Sequence, residues 1–208
     1  MRTFATIDSA KLPGPCPGGV GLTTALVVLR SGWVVVGSLP TADGTAASAK
    51  AGCLLVLDDR GKVRETIAGH GVNGPWDMTA LDHGSVAELF VTNVLNGTVA
   101  DSVGNRITAI PNASRRATSA GTGRTVTAGR ALNTPLGLAL TRSGKILTVN
   151  AGDGNLVVTT PRGAQIRTVA LDTSGNPPGA GALFGLAVDK RGGVYYVDDA
   201  TNTLNLLH

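Results

Sequence analysis

Apolar and polar positions alternate through four stretches of this chain, and each stretch is interrupted in the same way. LTTALVVLRSGWVVVGSL (22–39), WDMTALDHGSVAELFVTNV (76–94), LGLALTRSGKILTVNAG (136–152) and FGLAVDKRGGVYYVDDA (184–200) each run from an alternating segment through a glycine turn. Each then passes through a β-branched run into a turn rich in Asn and Asp. A two-residue period predicts strands with one face toward a core, and the turn between them predicts hairpins. With Gly32, Gly84, Gly144 and Gly193 as markers the units are spaced 52, 60 and 49 residues apart. That period fits a blade of four strands rather than a pair of helices.

The units continue in parallel. Third strands are expected at 53–59, 105–112, 155–163 and 202–208, and outer strands at 62–69, 124–129 and 165–172. The fourth unit has no outer strand after it, while MRTFATID at 1–8 matches the pattern of KVRETIAG and QIRTVALD. The expectation is that residues 3–8 close the last blade beside 202–207, because pairing removes an exposed sheet edge. The predicted fold is therefore all-β, a single β-propeller domain over 1–208. It comprises a closing strand at 1–8, a Gly/Pro-rich lead-in at 9–19, and units at 20–69, 70–129, 130–172 and 173–208. Within the second unit, FVTNVLNGTV is followed at once by ADSVGNRITAI, as if two half-blades were fused near 97–103.

Several of these segments resemble a known family. GLALTRSGKILTVNAGDGNLVVTTPRG (137–163), FGLAVDKRGGVYYVDDATNTLNLL (184–207) and VADSVGNRI (99–107) are similar to the NHL repeat of bacterial propeller proteins. Its inner strands read Gly-Leu-Ala-Val, followed by a Val-Ala-Asp strand and a turn ending in Asn-Arg-Ile. The resemblance covers most of the chain from about residue 20. It implies a shortened relative of a six-bladed propeller, and it implies export for full-length relatives, although MRTFATIDSAKL carries no signal-peptide pattern. The gluconolactonase-like propellers share the strand pattern and hold a divalent metal such as calcium. YYVDDA (195–200) resembles the end of their motif, casting Asp198 or Asp199 as metal ligand or catalytic base. The Pro-Asn-Gly element of those enzymes is replaced here by Pro135-Leu136-Gly137 or Leu183-Phe184-Gly185.

Composition supports the architecture and narrows the chemistry. Twenty-nine glycines in 208 residues supply turns, and 3% aromatic content leaves the blade interfaces to aliphatic side chains. No apolar run reaches the roughly 18 residues of a membrane helix. The 18 Lys and Arg against 14 Asp and Glu are unevenly placed: Arg106 to Lys145 contains seven basic residues and no acidic one. The same interval holds no aromatic side chain on which a base could stack, so a solvated basic face is expected in preference to a nucleic-acid site. Cys16 and Cys53 lack the close spacing of zinc ligands. They are read either as one disulfide or as one buried and one exposed thiol.

Candidate binding residues are those at the ends of the inner strands. Asp77, Asn93, Asn150, Asp198 and Asp199 could form a ring of oxygen ligands for calcium. Equally, Asn and Asp occupy such turns because their side chains accept local backbone hydrogen bonds. Gly74-Pro75-Trp76-Asp77 brings an aromatic and a carboxylate together at an inner strand and is the first place to look for a ligand. No GxSxG elbow and no P-loop ending are present, and His70, His83 and His208 fall in predicted turns or at a terminus. A non-catalytic scaffold binding a small molecule or a protein is the expected function. A metal-dependent lactone or ester hydrolase is the alternative, and association through unpaired blade edges is open to either.

Overall fold

The computed structural model describes residues 1–69, 71–94, 105–113 and 123–207. It consists of antiparallel sheets in which each strand pairs with the next along the chain. Blade 1 contains β1 (Leu22–Val28), β2 (Val34–Leu39), β3 (Cys53–Leu57) and β4 (Val63–Ile67). Blade 2 contains β5 (Pro75–Asp82), β6 (Ala87–Asn93), β7 (Arg106–Ile110) and β8 (Arg124–Ala128). Blade 3 contains β9 (Pro135–Leu140), β10 (Ile146–Asn150), β11 (Asn155–Thr159) and β12 (Gln165–Ala170). Blade 4 is a three-stranded sheet of β13 (Leu183–Val188), β14 (Val194–Asp198) and β15 (Thr203–Leu207). The all-β expectation and the four units hold. Among the described residues no helix is long and apolar enough to cross a membrane.

The strands form where the sequence alternates, because the two faces of each sheet meet different neighbours. Val35, Leu54, Val56 and Ile67 of blade 1 pack against Met78, Leu89, Val91 and Ile110 of blade 2. Phe90, Ile107 and Val126 on the other face of blade 2 meet Leu138, Ile146 and Val157 of blade 3. Leu147, Val149 and Leu156 continue the series against Leu183, Leu186 and Tyr196 of blade 4. Most of these side chains are essentially water-free, and each contributes on the order of 1.5–3 kcal/mol on burial. The first three hairpin glycines are as expected, but in the fourth unit the left-handed turn residue is Gly192, at φ 96°, and not Gly193.

One feature recurs in every innermost strand: the register slips between Thr23 and Leu26, between Pro135 and Leu138, and at the matching points of β5 and β13. Such a bulge bends the strand and re-aims the residues inside it. Trp76 and Asp77 lie within the bulge of β5.

The blades succeed one another as an arc, β1 packing on β5, β5 on β9 and β9 on β13, with no comparable packing of β13 on β1. The expected closure of blade 4 by residues 3–8 is not made. These residues form no strand, and Ala5 and Ile7 lie instead with Leu12, Cys16 and Val20 over Cys53, Leu55 and Leu57 on the free face of blade 1. The physical reason is twofold. A Cys16–Cys53 disulfide fixes the arm to β3, and the arm's apolar side chains pack on Cys53, Leu55 and Leu57 of that strand and its face. Of the two cysteine readings, the disulfide is the one realised.

The proposed fusion of half-blades near 97–103 lies outside the described residues. Of the described basic residues in that interval Arg106 is buried, whereas Arg124, Arg130, Arg142 and Lys145 are exposed; Arg124 pairs with Glu88 at 2.9 Å, Arg142 donates to the Lys190 carbonyl, and Arg115 and Arg116 lie outside the described residues.

Candidate functional site

The register places four residues at one equivalent position, the inner-rim end of the second strand of each blade. Thr23 pairs with Ser38, Pro75 with Asn93, Pro135 with Asn150 and Leu183 with Asp198. All four second-strand residues are buried. Three of them tie the segment that leads into their own blade. Ser38 Oγ accepts from Gly21 N at 3.0 Å, Asn93 Oδ1 accepts from Asn73 N at 3.1 Å, and Asn150 Nδ2 donates to Ala131 O at 2.7 Å. Asn93 also donates to Thr108 Oγ1, and Asn150 to Asp153 Oδ1. Asn93 and Asn150 thus stand at the predicted place in the fold, spent largely on holding the backbone.

Asp198 caps its own turn, accepting from Ala200 N at 3.0 Å and Thr201 N at 3.2 Å. Hydrogen bonds from Ser174, and a further one with Asp198, hold the Asp172 carboxyl below the usual carboxylate range. Asp199 is exposed, and its amide donates to Ala182 O at 2.7 Å. Among the described residues no three His, Cys, Asp or Glu side chains converge as a metal-holding group.

Trp76 and Asp77 have a different setting. The bulge of β5 turns Asp77 toward blade 3, where its Oδ2 accepts the Leu138 amide at 2.8 Å while Oδ1 accepts from Met78 N at 2.8 Å. Burial pushes the Asp77 carboxyl above its ordinary value, and the two amide donors oppose that rise. Two threonines add further hydrogen bonds between blades: Thr24 Oγ1 donates to Pro75 O at 2.7 Å and Thr92 Oγ1 to Leu136 O at 2.8 Å. The inner rim is therefore pinned from blade 1 to blade 2 and from blade 2 to blade 3.

Trp76 packs beside Val94, Leu136 and Ala151, with Phe184 at the equivalent position in blade 4. It also forms one wall of a concavity of about 100 Å³ with Leu22, Leu39, Thr41, Gly44, Thr45 and Ala49. The far wall is the connection between β2 and β3, which Asp43 organises. Its Oδ1 accepts from Thr45 N at 2.9 Å, Thr45 Oγ1 at 2.7 Å and the Ser48 hydroxyl. Those bonds hold the Asp43 carboxyl down at about 2, the Ser48 hydroxyl contributing most. Chemically this is an apolar socket with a hydroxyl-bearing lip, built to receive a hydrocarbon group.

The sequence pointed to Trp76 and Asp77 but missed the residues opposite. Leu22 and Leu39 read as ordinary strand positions, and only the Asp43-Gly44-Thr45 turn with Ser48 nearby signalled an ordered loop. The cross-blade roles of Thr24 and Thr92 depend on the bulges, which no local pattern announces.

No protein-family model matches the sequence, and no curated protein resembles it in sequence. The architecture, by contrast, is similar to that of solved propellers. A catalytically inactive virginiamycin B lyase from Staphylococcus aureus, solved with quinupristin, matches with a TM-score of 0.58 at 14% identity over 90% of this chain and 52% of its own. A calcium-binding regucalcin from Agrobacterium tumefaciens matches at 0.57 and 15% identity, covering 86% of this chain and 56% of that one. A chain of a nidogen/laminin complex matches at 0.53 and 14% identity, covering 90% and 76%. The chain spans about half the length of the lyase and the regucalcin, and the likeness establishes the β-propeller fold.

Proposed function

We propose that this chain is an NHL-like propeller module acting as a non-catalytic scaffold, and that its socket beside Trp76 takes an aliphatic side chain from a partner polypeptide. The observation that carries this reading is the size and lining of the socket. About 100 Å³ falls well short of the roughly 300–1,000 Å³ typical of small-molecule sites, yet suits one anchoring side chain. The hydrogen-bonded loop of Asp43, Thr45 and Ser48 keeps the socket open without a partner, lowering the ordering cost of binding. A neighbour that belongs to a protein complex supports a protein-binding role at the level of fold alone.

The test is a selection of random peptides displayed on phage against the immobilised protein. Enriched peptides sharing one Leu, Ile or Val, with binding lost in Leu22→Trp, which fills the socket, support the reading. Peptides that bind Leu22→Trp as well as the parent refute it.

A second reading draws on the buried carboxyl of Asp198 at the inner rim and on the calcium-binding regucalcin that shares the fold, since a carboxylate so placed would attract a hard cation. In that case Asp198, with Asp199 nearby, serves a metal-assisted hydrolysis of lactones or esters. Millimolar calcium would then raise the melting temperature, and the rise would vanish in Asp198→Ala. A melting temperature indifferent to calcium removes this reading.

A further inference from the structure

Blades 3 and 4 sort their charges by face. Because consecutive strands run antiparallel, the turns at 141–145, 160–164 and 189–193 leave one end of these blades, opposite the end that holds Asn150 and Asp198. Between residues 135 and 207 every lysine and arginine but Arg167 falls in one of those turns: Arg142, Lys145, Arg162, Lys190 and Arg191. Every acidic residue but Asp189 falls at the other end, as Asp153, Asp172, Asp198 and Asp199. The alternation of turns has thus drawn cations to one face and carboxylates to the other.

All five cations are exposed, and none forms an ion pair among the described residues. Asp189, the one carboxylate beside them, is turned into its own hairpin, where Oδ1 accepts from Arg191 N at 2.7 Å and Gly193 N at 2.8 Å. The turns that carry the cations are braced. Thr141 Oγ1 accepts from Lys145 N at 3.0 Å, Thr160 Oγ1 accepts from Ala164 N at 3.1 Å, and Arg142 joins blade 3 to blade 4 through the Lys190 carbonyl. At the same end of blade 2 the β5–β6 hairpin exposes two apolar side chains, Leu81 at 41% and Val86 at 49%.

We propose that this face docks on a membrane surface rich in anionic phospholipid. The arrangement of the cations selects that partner. Arg162 lies on the outer strand pair of blade 3, Arg142 and Lys145 on its inner pair, and Lys190 and Arg191 on the next blade, so the charges spread over an area. A single-stranded nucleic acid is held by a charged track with aromatic platforms, and the three turns contain no Phe, Tyr or Trp. A lipid surface instead takes cations over an area, together with apolar side chains that reach the headgroup boundary, which Leu81 and Val86 supply. The carboxylates at the far end are repelled by the same surface. Docking therefore has one orientation, with the socket beside Trp76 facing away from the membrane.

The experiment floats the full chain with vesicles of phosphatidylcholine alone and with vesicles containing about one-third phosphatidylserine. Binding to the anionic vesicles only, released by salt at about 0.5 M, is the expected result. Lys145→Glu with Arg191→Glu should weaken it at least roughly tenfold. Lys50→Glu with Arg130→Glu changes the net charge equally at the other end and should leave binding within about twofold. All four side chains are exposed, so both variants keep the fold, which circular dichroism verifies. Equal losses in the two variants overturn the inference, because net charge alone then accounts for binding. So does a protein that stays off the anionic vesicles, or one that binds a DNA duplex more tightly than those vesicles at the same salt.

Discussion

The carboxylate of Asp77 in blade 2 accepts the backbone amide of Leu138 in blade 3 at 2.8 Å. This bond crosses the blade boundary at the inner rim and is available because the β5 bulge turns Asp77 out of its own sheet. Asp77→Ala leaves the Leu138 and Met78 amides without their acceptor and is expected to cost about 1–3 kcal/mol. Asp77→Asn keeps an acceptor oxygen and loses less, so denaturant unfolding of the two variants separates the bond from the charge.

The pH dependence of the same residue follows from its raised pKa. The folded state binds the proton more tightly than the unfolded one, so this contribution to stability is present below the ordinary value of 3.8. It is lost as pH rises through the folded value. Asp77→Asn removes that component, and the unfolding free energy above pH 4 should fall less steeply with pH in the variant than in the parent.

Asp43 behaves in the opposite sense. Its carboxyl is held at about 2 by the Ser48 and Thr45 hydroxyls, so its contribution is present above 3.8 and is lost as pH falls through about 2. Carbon-detected NMR titration should place its midpoint near 2, and Ser48→Ala should move it up. Because the loop walls the socket, the same variant should shift the emission of Trp76.

The disulfide closes a loop with a sequence separation of 37 residues, worth about 4 kcal/mol of unfolded-state entropy in the chain model. Reduction, or Cys16→Ser with Cys53→Ser, should lower the melting temperature markedly. It should also expose Leu55 and Leu57, read as increased binding of a hydrophobic dye.

Thr92 is fully buried, donates to Leu136 O and accepts the Asp77 amide at 3.1 Å. Thr92→Val preserves volume but strands both backbone groups, and a loss of about 1–3 kcal/mol is expected in urea unfolding.

The blades were legible because alternation, glycine turns and the 49- to 60-residue period all follow from the strand geometry itself. Trp76 and Asp77 were legible as a pair of unusual residues at an inner strand. The arm was not, since RTFATID carries an outer-strand pattern whether or not an edge is within reach. Its place is decided by a disulfide and by the apolar Leu55 and Leu57 face that it covers. Asn93, Asn150 and Asp198 end β6, β10 and β14, but position does not tell a ligand from a side chain that ties the backbone. Only the partners of their polar atoms do. The socket was hidden because Leu22 and Ala49 are far apart in sequence and unremarkable one at a time.

The most direct test of the socket places a photoreactive leucine at the anchor position of a selected peptide and maps the cross-link by mass spectrometry. Adducts on Trp76, Leu39 or Ala49 are predicted. Adducts confined to the Leu204 and Leu206 face of blade 4, or to the cleft between blades 3 and 4, would contradict the assignment.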